Sequence, residues 1–227
     1  MTRGLRVFGV VLGIAVLVTG CGDDKDDSKE ESKPDSTSVQ VLTPEQVEKA
    51  LFTEQDLGEG YQISGGPDSD TSDQVQSTKE NCTNLRKSLG LPGAQPEEID
   101  TIAFEAEGKP DIVHEVRSYA TVAKAEAEMG QPEQLQNILQ ECGSWSETDD
   151  DGTVNYTLTE GDVSGVGDQS VSLRLVSENG GERETADHVA VRAGNNIAYV
   201  GITEGDGTAD AGAFATAAYD KLVAAAR

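Results

Sequence analysis

Hydrophobic positions change their spacing several times along this chain, and each change marks an element. A solid apolar run covers Val7 to Val18, and residues 22–38 then hold no large apolar side chain. From Leu42 on, apolar residues return with helical and strand periods. Thr43-Pro44-Glu45-Gln46 has the form of an N-cap, a first-turn proline and a capping-box glutamine, and Val47, Ala50 and Leu51 follow on one helical face. Thr53 to Asp56 repeats the start signal for a short second turn that ends at Gly58 and Gly60. Residues 65–78, rich in Gly, Ser, Asp and Thr, read as a loop. Cys82, Leu85 and Leu89 are spaced for a helix over Lys79–Leu89, stopped by Leu91-Pro92-Gly93.

Period two then takes over. Ile102, Phe104 and Ala106 alternate in Ile99–Glu107, and Ile112, His114 and Val116 alternate in Asp111–Ala120. Gly108-Lys109-Pro110 between them predicts a hairpin. Thr121–Met129 is alanine-rich behind a threonine cap, and Gln131–Cys142 places Leu135, Ile138, Leu139 and Cys142 on one side of a helix. Further strands are expected at Thr153–Thr159, Gln169–Ser177, Ala186–Arg192 and Asn196–Thr203, with Gly194-Asn195 as a tight turn. Thr208–Arg227 closes as a helix with Phe214, Ala218 and Leu222 four apart. Helices and antiparallel hairpins in separate blocks predict an α+β fold, with an antiparallel sheet of about five or six strands and flanking helices.

The apolar run near the start is a different object. Arg3 and Arg6 precede it, and Leu17-Val18-Thr19-Gly20-Cys21 closes it. A charged start, a short apolar middle and small residues at the end make an export signal. Crossing a bilayer takes about 20 apolar residues, so this run is too short to span. The small-residue step into a cysteine resembles the lipobox of bacterial lipoproteins. In that family the cysteine is diacylated and the chain is cut just before it. Residues 1–20 are therefore expected to be removed, and Cys21 to carry the lipid that holds the protein to the outer face of the cell membrane. Two acyl chains anchor stably where one is marginal. Residues 21–41 are expected to form the lipidated cysteine and a disordered acidic tether, and residues 42–227 a single domain. Residues 22–38 hold seven acids and three lysines, which repel and extend the segment. Asp23, Asp24, Asp26 and Asp27 read as a solvated charge run rather than a metal site.

Charge narrows the partners. The formal charge is −25, and losing Arg3 and Arg6 takes it to about −27. Such a surface repels nucleic acid and anionic head groups. The bilayer, reached through Cys21, and an unknown small ligand or envelope protein are the partners left. Cys82 and Cys142 remain after Cys21, and an even pair in an exported chain reads as a disulfide.

No catalytic or cofactor signature emerges. Counted from Glu147, acids fall at the first, third and fifth places of a calcium loop and Gly152 at the sixth, but Leu158 stands where the bidentate glutamate belongs. Gly161, Gly165 and Gly167 are followed by a strand pattern and lack the Lys-Ser or Lys-Thr of a P-loop. His114 and His188 are the two histidines, both in strand runs, with no HExxH and no GxSxG. Either could ligate zinc or act as a base, or be structural. Arg117, Arg174 and Arg192 lie in three strand runs. On one sheet face they would make forked hydrogen bonds to an anion, and otherwise they pair with the many acids. No cofactor or metal is expected.

Four segments carry a resemblance: Leu51–Gly58, the Cys82/Cys142 pair, Gly165-Val166-Gly167-Asp168-Gln169-Ser170, and Val189–Asn195. Their order resembles actinobacterial exported lipoproteins related to the PknH-like extracellular sensor-domain family. The resemblance implies an antiparallel sheet flanked by helices, with a cleft for an unidentified ligand. The family pattern has two disulfides, whereas this chain has cysteines for one. It supplies no catalytic residues. The expected function is a non-enzymatic ligand-binding or sensor-like domain. Its rivals are a protein-interaction or envelope-assembly module, and a hydrolase whose histidines and acids meet only in the fold.

Overall fold

The computed structural model describes residues 40–65, 76–88, 95–149, 152–204 and 209–227. The expected signal, Cys21, nearly all of the tether and Leu91-Pro92-Gly93 lie outside them. The elements run α1 (Pro44–Ala50), α2 (Glu54–Leu57), β1 (Gln62–Gly65), β2 (Gln76–Ser77), α3 (Glu80–Ser88), β3 (Glu98–Glu105) and β4 (Asp111–Ser118). Then come α4 (Val122–Met129), α5 (Pro132–Cys142), β5 (Ser144–Asp149), β6 (Gly152–Glu160), β7 (Gln169–Asn179), β8 (Glu182–Ala193), β9 (Asn196–Glu204) and α6 (Ala211–Ala225).

The strands form one antiparallel sheet of nine in the order β1-β3-β4-β9-β8-β7-β6-β5-β2. This corrects the expected five or six. The added strands are β1, β2 and β5, and each hides its period. β1 and β2 are four and two residues long. β5 turns Glu147 inward beside Trp145, and an inward acid breaks the apolar-polar alternation. Every expected helix is present, and Cys82 and Cys142 are bonded, with their Cα atoms 5.4 Å apart.

Strand register sorts the side chains into two faces. Ile112 pairs with Ile202, His114 with Val200 and Val116 with Ala198, while Val189 and Val191 flank the same strand from the other side. This first face packs against α1 and α6. Ala215, Ala218 and Leu222 of α6 are fully buried there, and the small alanines let the helix lie close. Each fully buried aliphatic side chain contributes about 1.5–3 kcal/mol. Gln46 completes the α1 capping box with Thr43 and also donates to the Ala225 carbonyl at 2.9 Å, tying the first helix to the last.

Two of the family-like segments meet on this side. Gly167 has φ +70°, and a Cβ there would lie 2.6 Å from the Arg192 carbonyl and 2.9 Å from the Tyr219 ring. Asp168 then accepts the Gly194 N–H at 2.7 Å and donates its own N–H to the Arg192 carbonyl at 2.9 Å. The glycine loop is thus a clamp on the β8–β9 turn, which needs a residue without a side chain at Gly167. These contacts give the glycine loop a structural role.

Candidate functional site

The second face of the sheet is apolar through its middle. Val171, Leu173 and Leu175 of β7, Leu158 of β6 and Ala190 of β8 all point to it. Three helices cross this face, and they do not close it. A cavity of about 130 Å³ remains between the sheet and α3, α4 and α5, walled on the helix side by Leu85, Met129 and Leu135. Trp145 lines one end, stacked on Tyr156 at 4.9 Å and held by a 2.9 Å bond from its Nε1 to Glu147.

Gly201 accounts for part of the space. It sits in β9 between Val113 and His188. A Cβ added there would meet His188 Nδ1 at 3.7 Å and the Val113 Cβ at 3.8 Å, which is ordinary contact. The missing side chain is therefore room left open in the floor, since the backbone itself does not demand glycine.

The opposite end of the cavity is polar. Arg117 donates from Nε to Glu115 and from Nη1 to Glu128, both at 2.5 Å. Its guanidinium lies over the Tyr199 ring at 4.6 Å, an arrangement that favours arginine over lysine. Tyr199 donates to Glu128 Oε1 at 3.3 Å, and Thr101 donates to Glu115 Oε2 at 3.1 Å. Glu128 is 2 % exposed, and its Oε2 has no partner among the described residues. Burial pushes the Glu128 carboxyl above its ordinary pKa, with Arg117 pulling the other way. Burial likewise raises the Tyr199 phenol, with Glu128 adding to it. The site is thus an apolar trough ending in a desolvated carboxylate.

The residues singled out in the sequence do not converge. His114 faces the first side of the sheet, where Nδ1 accepts the Phe52 N–H at 2.9 Å. His188 faces the second, on the cavity floor, and burial lowers its pKa while Asp187 opposes the shift. The three arginines also divide. Arg117 and Arg192 point to the second face, whereas Arg174 points to the first and forms a forked pair with Asp187, both bonds 2.8 Å. Arg192 sits 3.4 Å from Glu126 and 3.6 Å from Asp168 and donates to the Gly194 carbonyl. The three arginines thus sit in separate arginine–acid pairings, the second of the two readings their sequence positions offered. Asp149 accepts the Gly152 N–H at 3.2 Å within the β5–β6 hairpin, and residues 150 and 151 of the calcium-like run lie outside the described residues. Among the described residues, no group of three or more metal-ligating side chains comes together.

Glu128, Tyr199 and Gly201 carry the site, and sequence reading missed all three. Two of them had a signal. Ala125, Glu128 and Met129 share one helical face, so an acid stands among core positions where acids almost never lie unpaired. Gly201 interrupts an apolar strand, the usual mark of a close approach or an opening. Tyr199 gave no signal of its own.

No family model and no curated protein matches the sequence. The fold has a solved counterpart. The extracellular domain of PknH from Mycobacterium tuberculosis superposes with a TM-score of 0.58 at 17 % identity, over 82 % of this chain and 98 % of that one. A putative uncharacterized protein from Mycobacterium smegmatis is similar at a TM-score of 0.47 and 12 % identity, over 83 % and 98 %. The chain therefore shares its fold with the PknH extracellular domain, as the sequence segments implied.

Proposed function

We propose that this chain is an exported, lipid-anchored, non-enzymatic domain that binds a small ligand in the cavity beneath α3, α4 and α5. The observation that carries the reading is the apolar trough with one unpartnered, buried carboxylate oxygen at its end. Native interiors are close-packed, and a buried acceptor without a partner costs about 1–3 kcal/mol. A site that keeps both an opening and an orphaned acceptor is organised for something that fills one and bonds the other. The hydrolase reading needs a histidine beside a nucleophile in a pocket; His188 lines the cavity, whose lining holds no serine or cysteine among the described residues. Anchoring rests on the lipobox at Cys21. Among the described residues no helix is long and apolar enough to cross a membrane. The fold shared with an extracellular domain accords with a location outside the cytoplasm.

A thermal-shift screen of small apolar compounds tests the ligand site. A ligand at 100 times its Kd stabilises by about 2.7 kcal/mol, or a rise of about 5–10 °C for a domain of this size. Gly201→Val, which grows a β-branched side chain into the floor, abolishes the shift without lowering the starting Tm. A flat screen with every compound overturns the reading. For the anchor, Cys21→Ser moves the protein out of the detergent-extracted membrane fraction, and an unchanged distribution removes that part.

A further inference from the structure

We propose that the cavity takes a small amphiphilic amine, with its apolar body in the trough and its protonated amino head on Glu128. The inference rests on the cavity being the ligand site and names the chemistry of what fills it.

The argument is one of charge and of hydrogen-bond count. Two carboxylates, Glu115 and Glu128, share a single guanidinium, that of Arg117. The polar end of the cavity therefore stands one positive charge short. Three of the four carboxylate oxygens are bonded, by Arg117, Tyr199 and Thr101. The fourth, Glu128 Oε2, is buried and bonded to nothing among the described residues. An ammonium head supplies the missing donor and the missing charge together, and such charge-assisted bonds are about twice as strong as neutral ones. A hydroxyl supplies the donor alone. A carboxylate supplies neither and meets two like charges.

The trough sets the body. An engineered apolar cavity of about 150 Å³ takes benzene, so about 130 Å³ suits a phenyl ring or a chain of about six carbons. The formal charge of −25 favours the approach of cations over anions from solution.

Trp145 is the chain's one tryptophan, and it lines the cavity, so its fluorescence reads occupancy directly. The full chain is titrated at pH 7 with 2-phenylethylamine, 2-phenylethanol and 3-phenylpropionate, which share a body and differ in the head. The amine binds about tenfold tighter than the alcohol, and the carboxylate binds weakest. Glu128→Gln brings the amine down to the alcohol's affinity. Equal affinities, or a preference for the carboxylate, overturn this inference and leave the cavity as a ligand site. No response to any of the three overturns this inference, and the ligand-site reading falls with it only if the wider thermal-shift screen is also flat. The comparison on the unsubstituted chain decides the matter even if the Glu128→Gln chain fails to fold.

Discussion

Replacing Cys82 and Cys142 together with alanine lowers the unfolding free energy by about 4 kcal/mol, or reduction of the native bridge does the same. The bridge spans 60 residues, and a loop of that length gives about this figure by the chain-entropy account. The folded state adds a second reason. α3 has the sequence ENCTNLRKS, in which Cys82 and Leu85 are the apolar residues. So polar a helix buries little surface of its own, and the bond to α5 is what keeps it on the sheet. Cys82 and Cys142 pack with Trp145 and Leu158 in a small cluster apart from the main core. The loss therefore strikes the cavity wall first. Leu85 leaves the lining, and Trp145 becomes solvated. Urea melts followed by tryptophan fluorescence show both effects, as a lower midpoint and a red-shifted native baseline. A midpoint change equivalent to less than about 1 kcal/mol would show that α3 holds without its bridge. Alanine rather than serine is the fair replacement, because a hydroxyl in this cluster would add its own burial cost.

The same polar helix shows what a sequence can and cannot disclose. Local signals were strong where the chain caps and turns itself. Thr43 and Gln46 form the reciprocal box that their spacing predicts, and Thr121 caps α4 through the Lys124 N–H. The β3–β4 and β8–β9 hairpins lie where Gly108-Lys109-Pro110 and Gly194-Asn195 place them. What stayed hidden depends on register between strands. Alternation within β4 separates His114 from Arg117, but nothing in β4 or β8 tells which parity of one matches which parity of the other. A slip of one residue would swap every side chain between faces. The opposite placement of His114 and His188, and of Arg174 and Arg192, is therefore set by pairings that no local pattern carries. The cavity is hidden for a related reason. It is the space that α3, α4 and α5 leave unfilled, and it depends on how far three helices stand from a sheet. Glu128 was the legible clue, because its helix puts it beside Ala125 and Met129.

Acidification from pH 7 to pH 3 costs the domain about 4 kcal/mol through His114 alone. The ring is 0 % exposed, lies tilted against Phe52 with the ring centroids 4.1 Å apart, and accepts the Phe52 N–H at Nδ1. Accepting there requires the neutral ring with its proton on Nε2. Charging it would put a second donor against the Phe52 N–H and leave an imidazolium in the core. Burial, first of all, pushes its pKa down to about 3, with Lys221 adding to the shift and Asp56 opposing it. The unfolded chain titrates near the ordinary 6.5, so between these values the unfolded state binds more protons and stability rises with pH. The stabilisation is complete above about 6.5 and is lost as pH falls toward 3, at 1.36 kcal/mol per pH unit. His188, also lowered, acts in the same direction. Glu128 acts against them, because a raised carboxyl favours the fold when protonated and gives that up as pH rises. His114→Asn separates the histidine from the rest. The Asn oxygen accepts the Phe52 N–H in place of Nδ1, and the smaller side chain costs stability by an amount independent of pH. The difference between the two proteins, followed by urea melts across the range, therefore isolates one titration. Wild type loses its advantage by about 4 kcal/mol between pH 7 and pH 3. A difference that stays constant with pH would mean that the ring is not held neutral, and that the Phe52 hydrogen bond does not set its protonation.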